Sequence, residues 1–137
     1  METIYDQFIH TLNIHRNNER ATVVYLWGDL GSGKTTFTKN LCHHLGLGLD
    51  IASPTFTILK RYDFDTLGFK NLIHIDAYRL NSYEDLLKIK FEDYLNDPKN
   101  LIFIEWPSVI ENDNIKADIN MRFEHGEKEG DRIIKIE

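Results

Sequence analysis

The segment that most constrains the fold is a glycine-rich stretch that follows the first strongly apolar run of the chain. Residues 28–35 read GDLGSGKT and satisfy the pattern G-x-x-x-x-G-K-[ST] of a phosphate-binding loop. The run before it, Thr22–Trp27 (TVVYLW), is typical of a buried strand. The segment after it, Lys34–Leu45, has apolar residues at helical spacing. A strand, a glycine loop and a helix in this order predict a nucleotide site.

The residue types in this loop suit phosphate chemistry. Consecutive backbone N–H groups must wrap a phosphate, and side chains at the glycines would block that approach. We expect Lys34 to bring positive charge to the β- and γ-phosphates and Thr35 to bring a hydroxyl to Mg²⁺. For Asp29, a local role in the turn is the favoured interpretation. The predicted nucleotide contacts in this segment are Gly28, Asp29, Leu30, Gly31, Ser32, Gly33, Lys34, Thr35 and Thr36.

Two later apolar runs each end in an acid. Asp76 follows NLIHI (Asn71–Ile75), and Glu105 follows LIFI (Leu101–Ile104). Ligands of open α/β sheets bind beyond the carboxyl ends of the strands. Both carboxylates are therefore candidates to bind Mg²⁺ or to position an attacking water, and which does which stays open. The alternative is that each acid caps a helix or is an ordinary solvated side chain.

Three other residues near these segments each have two interpretations. Thr55, in the SPT run at 53–55, fits a nucleotide-sensing loop that reaches Mg²⁺, or a simple Ser-Pro turn. Trp106 lies beside the nucleotide or is a half-buried aromatic residue. His74, on the same strand as Asp76, is more simply a packed histidine than a catalytic one. The DTLG run at 65–68 matches the D-x-x-G switch signature of GTPases, but no Asn-Lys-x-Asp guanine motif occurs in the chain.

The rest of the chain continues an alternation of strands and helices. Helices are predicted over Ile4–Leu12 and over Ser82–Ile89, the latter with Ser82 as its N-cap. Strands are predicted over Ser53–Leu59, Asp118–Glu124 and Arg132–Glu137, the last two joined by a hairpin loop. The pattern indicates an α/β fold of the P-loop NTPase type, with a mostly parallel sheet flanked by helices and with antiparallel C-terminal strands. The length of 137 residues predicts a single domain over 1–137.

Composition limits the classes of partner. The net charge is −6, with six Lys or Arg against seven Asp or Glu in residues 1–69 and ten against fifteen in residues 70–137. Nucleic-acid binders draw affinity from a basic surplus, so we expect no direct nucleic-acid binding by the chain alone. The single cysteine, Cys42, cannot form an internal disulfide and is expected to be a packing residue in a reducing compartment. No apolar run is long enough for a membrane span and no signal core opens the sequence, so no membrane association and a cytoplasmic location are expected.

Four motifs in this order resemble one family. They are GDLGSGKTTF (Gly28–Phe37), SPTF (Ser53–Phe56), HIDAYR (His74–Arg79) and IEWP (Ile104–Pro107), and together they are similar to the TsaE (YjeE) family. The phosphate loop alone is shared by many families. Its combination with the HIDAYR and IEWP segments makes the resemblance specific.

The resemblance implies a function that spacing alone does not. TsaE-like proteins are small ATPases that act with TsaD and TsaB to make threonylcarbamoyladenosine in tRNA, and ATP is thought to reset the transferase between turnovers. Carried over by position, Lys34 and Thr35 bind phosphate and Mg²⁺, and Thr55 belongs to a switch-like loop. Asp76 and Glu105 serve the metal and the attacking water, and Trp106 lies beside the nucleotide.

Two rival functions use the same loop. A small-molecule or nucleotide kinase normally needs several arginines around the transferring phosphate and a mobile lid. The arginines of this chain are scattered and no insertion suits a lid. A regulatory nucleotide switch with negligible turnover would not need Glu105.

Overall fold

The computed structural model describes residues 2–29, 33–48, 58–110, 115–128 and 132–137. The strands in this part of the chain are β1 (Thr22–Trp27), β2 (Leu59–Thr66), β3 (Phe69–Asp76), β4 (Asn100–Glu105), β5 (Ile119–His125) and β6 (Arg132–Ile136). The α-helices are α1 (Ile4–His15), α2 (Lys34–His44), α3 (Tyr83–Leu87) and α4 (Phe91–Leu95). Short 3₁₀ turns at Ala77–Arg79 and Pro107–Val109 follow β3 and β4.

All six strands form one sheet in the order β2-β3-β4-β1-β5-β6. Strands β3, β4, β1 and β5 are parallel to one another, while β2 and β6 run antiparallel at the two edges. The predicted fold class is confirmed. One detail differs from the expectation for the C-terminal strands, because β5 itself joins β1 as a parallel strand and only β6 reverses direction.

The two faces of the sheet bury different clusters. Alternate strand residues point to opposite faces, so the apolar runs of β1, β3 and β4 are buried on both sides. One face packs on α1 and α2, and its cluster includes Val24, Leu26, Phe37, Leu41, Leu72, Leu101 and Phe103. The other packs on α3 and α4, and its cluster includes Val23, Tyr25, Ile73, Ile75, Leu86, Phe91, Ile102 and Ile104. Every residue of these two sets is at most 3% exposed.

Helix α1 begins with a reciprocal cap. The Thr3 hydroxyl accepts from the Asp6 N–H at 3.1 Å, and the Asp6 carboxylate accepts from the Thr3 N–H at 3.1 Å. This capping box satisfies two backbone donors that the first helical turn leaves without partners. The Asp6 carboxylate also lies 3.0 Å from His44 Nε2, which links the start of α1 to the end of α2.

Strand β2 differs from the strand that the sequence predicts. The sequence predicts a strand over Ser53–Leu59, of which residues 53–57 lie outside the described part of the chain. The observed strand runs over Leu59–Thr66, and Phe64 is its one fully buried residue. A charged strand of this kind is typical of a sheet edge, where only one neighbour is present and charge discourages further pairing. The DTLG run at 65–68 forms the turn between β2 and β3, at the opposite end of β3 from Asp76.

The helix predicted over Ser82–Ile89 is shorter than expected. Helix α3 spans Tyr83–Leu87, and α4 begins at Phe91 after Lys90 adopts a left-handed conformation with φ of 60°. Ser82 occupies the N-cap position, but its side chain makes no capping hydrogen bond. Instead the Asp85 carboxylate accepts from the Asn81 N–H at 2.8 Å.

None of the helices in the described ranges is long and apolar enough to cross a membrane.

Candidate nucleotide site

The phosphate loop joins the end of β1 to the start of α2. Gly33 occupies the N-cap position of α2 with φ of 100° and ψ of 13°, a left-handed conformation that favours glycine. A Cβ added at Gly33 would meet no atom within 4 Å, so the backbone conformation alone explains the glycine. The predicted contacts Leu30, Gly31 and Ser32 lie outside the described residues, as does Thr55.

Lys34 turns back toward the loop. Its ammonium donates to the Gly28 carbonyl at 2.6 Å and lies 4.0 Å from the centroid of the Trp106 ring. The residue is only 5% exposed. Burial lowers the pKa of Lys34, and the charges of Glu105, Asp76 and Asp29 oppose that shift. The ammonium is thus a buried cation with three acids acting on it.

The two predicted acids are neighbours across the sheet. Asp76 and Glu105 pair in register at the carboxyl ends of the parallel strands β3 and β4. Glu105 follows Leu101 and Phe103 in the alternation of β4, so its side chain shares the face that packs on α2. Asp76 follows Leu72 in the same way on β3. The pairing brings together two residues that the sequence separates, on the face where α2 begins.

Glu105 Oε2 is the centre of a buried hydrogen-bond network. It accepts from the Thr35 hydroxyl at 2.8 Å and lies 2.5 Å from His74 Nε2. Glu105 is 5% exposed and His74 is fully buried. Thr35 belongs to the first turn of α2, so this network ties the phosphate loop to two strands of the sheet.

The network decides the charge of Glu105. Burial alone would raise its pKa, but the hydrogen bonds from His74 and Thr35 and the charge of Lys34 outweigh burial, and the pKa lies below its ordinary value. Glu105 is therefore a carboxylate at neutral pH, although nearly all of its surface is covered.

Asp76 has a role in the backbone as well as a place in the site. Its Oδ1 accepts from the Tyr78 N–H at 3.0 Å and so caps the 3₁₀ turn that follows β3. The capping alternative foreseen for this acid is thus present in the structure. The side chain is half-buried, and its charge still acts on Lys34.

Trp106 lies beside the loop in an unusual backbone conformation. Its φ of 59° and ψ of 51° are left-handed, which is rare for a bulky residue and costs about 1–3 kcal/mol. The Trp106 ring contacts the Lys34 ammonium and also packs against the Tyr78 ring, and the centroids of the two rings are 5.0 Å apart. Thr36, predicted to contact the nucleotide, occupies an exposed position in the first turn of α2.

His74 has a contact in the site that the sequence does not predict. The sequence favours a packed histidine, and the structure buries the ring completely, with Nε2 against the Glu105 carboxylate. The available signal was its polar character within the otherwise apolar run NLIHI, two positions before Asp76 on the same face.

Comparison with known proteins places this geometry in a family. The family model described as "Threonylcarbamoyl adenosine biosynthesis protein TsaE" matches residues 4–134. The tRNA threonylcarbamoyladenosine biosynthesis protein TsaE of Rickettsia typhi is 38% identical over 114 residues, which cover 74% of this chain and 76% of that protein. The protein of the same name from Bacillus subtilis is 39% identical over 89 residues, which cover 65% of this chain and 52% of that protein.

A solved structure shares the fold. The crystal structure of Bacillus subtilis YdiB superposes with a TM-score of 0.58 at 24% sequence identity, covering 97% of this chain and 79% of that chain. At this identity the likeness supports the architecture of the sheet and helices.

Proposed function

Because the chain belongs to the TsaE family, we propose that it binds ATP and Mg²⁺ at the site between the phosphate loop, Asp76 and Glu105, hydrolyses the ATP, and serves the synthesis of threonylcarbamoyladenosine in tRNA. The observation that carries the proposal is the hydrogen bond from Thr35 to Glu105, which joins the loop to an acidic strand end. The relatives described above are named for this biosynthesis, and none of those names describes a kinase.

The oxygen donors of the site suit Mg²⁺. Thr35 supplies a hydroxyl oxygen, and Glu105, whose Oε2 accepts from that hydroxyl at 2.8 Å, supplies its other carboxylate oxygen. Both are hard ligands of the type that Mg²⁺ binds together with substrate phosphates. Asp76 is in register beside Glu105 and adds a further carboxylate. Bound there, the ion would neutralise negative charge on the β- and γ-phosphates.

The side chains of the site have different roles in the proposed hydrolysis. Lys34 exchanges its Gly28 carbonyl acceptor for phosphate oxygens and stabilises the charge that develops on them. Glu105 and Asp76, the acids at the carboxyl ends of two neighbouring strands, would hold the ion and orient the attacking water. Trp106 covers the Lys34 ammonium and limits access of bulk water to it.

We further propose that the protein acts with TsaD- and TsaB-like partners and that ATP turnover resets the transferase of that complex. The family is described as a threonylcarbamoyl adenosine biosynthesis protein, and the relatives are named for making this nucleoside in tRNA, which supports a role beside other proteins of that pathway. The chain itself carries a net charge of −6, which suits a subunit that leaves tRNA contacts to its partners. Residues 1–137 would form one domain, since a single sheet runs from Thr22 to Ile136.

The decisive experiment measures phosphate release from ATP with Mg²⁺, with and without purified TsaD- and TsaB-like proteins. We expect slow turnover by the chain alone and faster turnover in the complex. Glu105→Gln should abolish both while nucleotide binding persists. His10→Gln, an exposed change on α1, is the matched control and should behave as the wild type. Unchanged turnover in Glu105→Gln would refute the assignment of this acid, and absence of a complex would refute the partners.

A further inference from the structure

A buried histidine in the middle of an apolar strand needs an explanation. His74 lies between Ile73 and Ile75 on β3, and all three are fully buried. An aliphatic side chain would fill such a position without the free-energy cost of burying a polar ring. That cost is small only when the ring is hydrogen-bonded. The ring finds its partner in Glu105 Oε2, at 2.5 Å.

The two hydrogen bonds to Glu105 converge on one oxygen. Thr35 and His74 both contact Oε2. Neither of these two donors is directed at Oε1 of Glu105. A carboxylate held through one oxygen by donors from two different elements has little rotational freedom. The other oxygen remains available as a ligand or acceptor.

The two ring nitrogens of His74 differ in their surroundings. Nδ1 is buried and has no hydrogen-bond partner among the residues that the structure describes. Nε2 is the nitrogen that contacts another polar side chain, and it donates to the Glu105 carboxylate.

We infer that His74 is a positioning residue, whose Nε2–H fixes the Glu105 carboxylate so that Oε1 is presented to the metal and the attacking water; this inference rests on the proposed ATPase function. The arrangement resembles the general case in which a ligand that faces a metal is held by a second hydrogen bond behind it. His74 thereby links β3 to the reactive end of β4 without touching the nucleotide.

Two substitutions separate positioning from packing. His74→Gln keeps an N–H donor at the end of a side chain of similar reach, whereas His74→Leu keeps a buried apolar volume and removes the donor. We expect His74→Leu to lower kcat about tenfold or more, with nucleotide Kd within about twofold of the wild type, because only the carboxylate behind the metal has changed. His74→Gln should recover a substantial part of kcat.

Either of two results would overturn the inference. One is a folded His74→Leu protein with wild-type kcat. The other is an equal loss in His74→Leu and His74→Gln, which a role in packing alone would produce. Thermal unfolding of each variant, with His10→Gln as control, establishes that the proteins compared are folded.

A second measurement needs no ATP turnover. The ¹⁵N spectra of the histidine rings of the nucleotide-free protein distinguish the two neutral tautomers, and His74→Gln assigns the His74 signals by their loss. We expect a proton on Nε2, with signals that move when Glu105 becomes Ala. A ring without a proton on Nε2, or signals that do not move when Glu105 becomes Ala, would refute the contact. If the wild type hydrolysed no ATP even with its partners, the proposed function would fail, while this spectrum would still test the contact.

Discussion

The Thr35 hydroxyl donates to Glu105 Oε2 at 2.8 Å and thereby connects the first turn of α2 to the last residue of β4. Seventy positions of sequence separate the two residues. Their contact depends on the parallel pairing of β1 with β4, which places the loop after β1 beside the end of β4. The site is therefore a property of the sheet as well as of the glycine motif.

Replacement of Thr35 tests that contact. Thr35→Val removes the hydroxyl at nearly constant volume, so we expect Mg²⁺-dependent turnover to fall about tenfold or more. Thr35→Ser retains the hydroxyl and is expected to keep most of the activity. Phosphate release measured across a Mg²⁺ titration gives both the rate and the concentration of Mg²⁺ required. Equal behaviour of the valine and serine variants would contradict a role for the hydroxyl.

Lys34 is expected to control nucleotide affinity. A hydrogen bond to a charged group contributes about 1.5–3 kcal/mol, so Lys34→Ala should weaken ATP binding about tenfold or more. The measurement is a fluorescence titration with an ATP analogue that carries a fluorescent label. Lys39→Ala changes an exposed lysine of the same helix and is the matched control. If both variants bound the analogue with wild-type affinity, the assignment of the phosphate site to Lys34 would be wrong.

Cys42 should resist thiol reagents in the folded protein. It is fully buried on α2, and burial raises the pKa of its thiol to about 11. The reactive thiolate is consequently scarce at mildly alkaline pH, and the reagent has no access to it. A colorimetric thiol assay should show little modification of the native protein and one thiol per chain in concentrated guanidinium chloride. Rapid modification of the native protein would show that α2 opens readily.

The cap of α1 predicts a dependence of stability on pH. Hydrogen bonds from Thr3 and His44 lower the pKa of Asp6 below the ordinary value of an aspartate. A carboxylate with a lowered pKa in the folded state stabilises the protein above its unfolded pKa, and this contribution is lost as the pH falls through the folded value. Asp6→Asn should therefore lower Tm at pH 6, and the difference in Tm should shrink as the pH falls through the lowered pKa of the folded state.

The same scans on Glu127→Gln, an exposed change on the loop after β5, provide the control. This variant should match the wild type throughout the pH range. A Tm difference for Asp6→Asn that stayed constant into strong acid would show that the cap does not act through the charge of Asp6.

Elements with strong local patterns were predictable from sequence, and elements determined by their neighbours were not. The apolar run TVVYLW forms β1 at its predicted bounds, Thr22–Trp27, because a strand buried on both faces must be apolar throughout. Strand β2 has mainly charged and polar residues, and its pairing with β3 defines it. The local pattern of apolar and polar residues does not predict that pairing.

The site shows the same division. Lys34 and Thr35 follow from a contiguous motif, and the acidic ends of β3 and β4 follow from the chemistry of strand termini. Glu105 on β4 pairs with Asp76 on β3, and His74 lies two residues before Asp76 on that strand. The contact between His74 and Glu105 is therefore offset from the register by two residues. It depends on the register of β3 against β4, which a single sequence does not specify.

The position of β1 in the sheet has a consequence for how the chain folds during its own translation. It is the earliest strand in the chain, yet its two neighbours, β4 and β5, are the fourth and fifth. During translation an apolar strand with β-branched residues must therefore wait, with both edges open, until most of the chain has been made. Such an edge can pair with other nascent chains. The interval between the synthesis of β1 and that of β4 is therefore the period in which this strand is most open to pairing with the wrong partner.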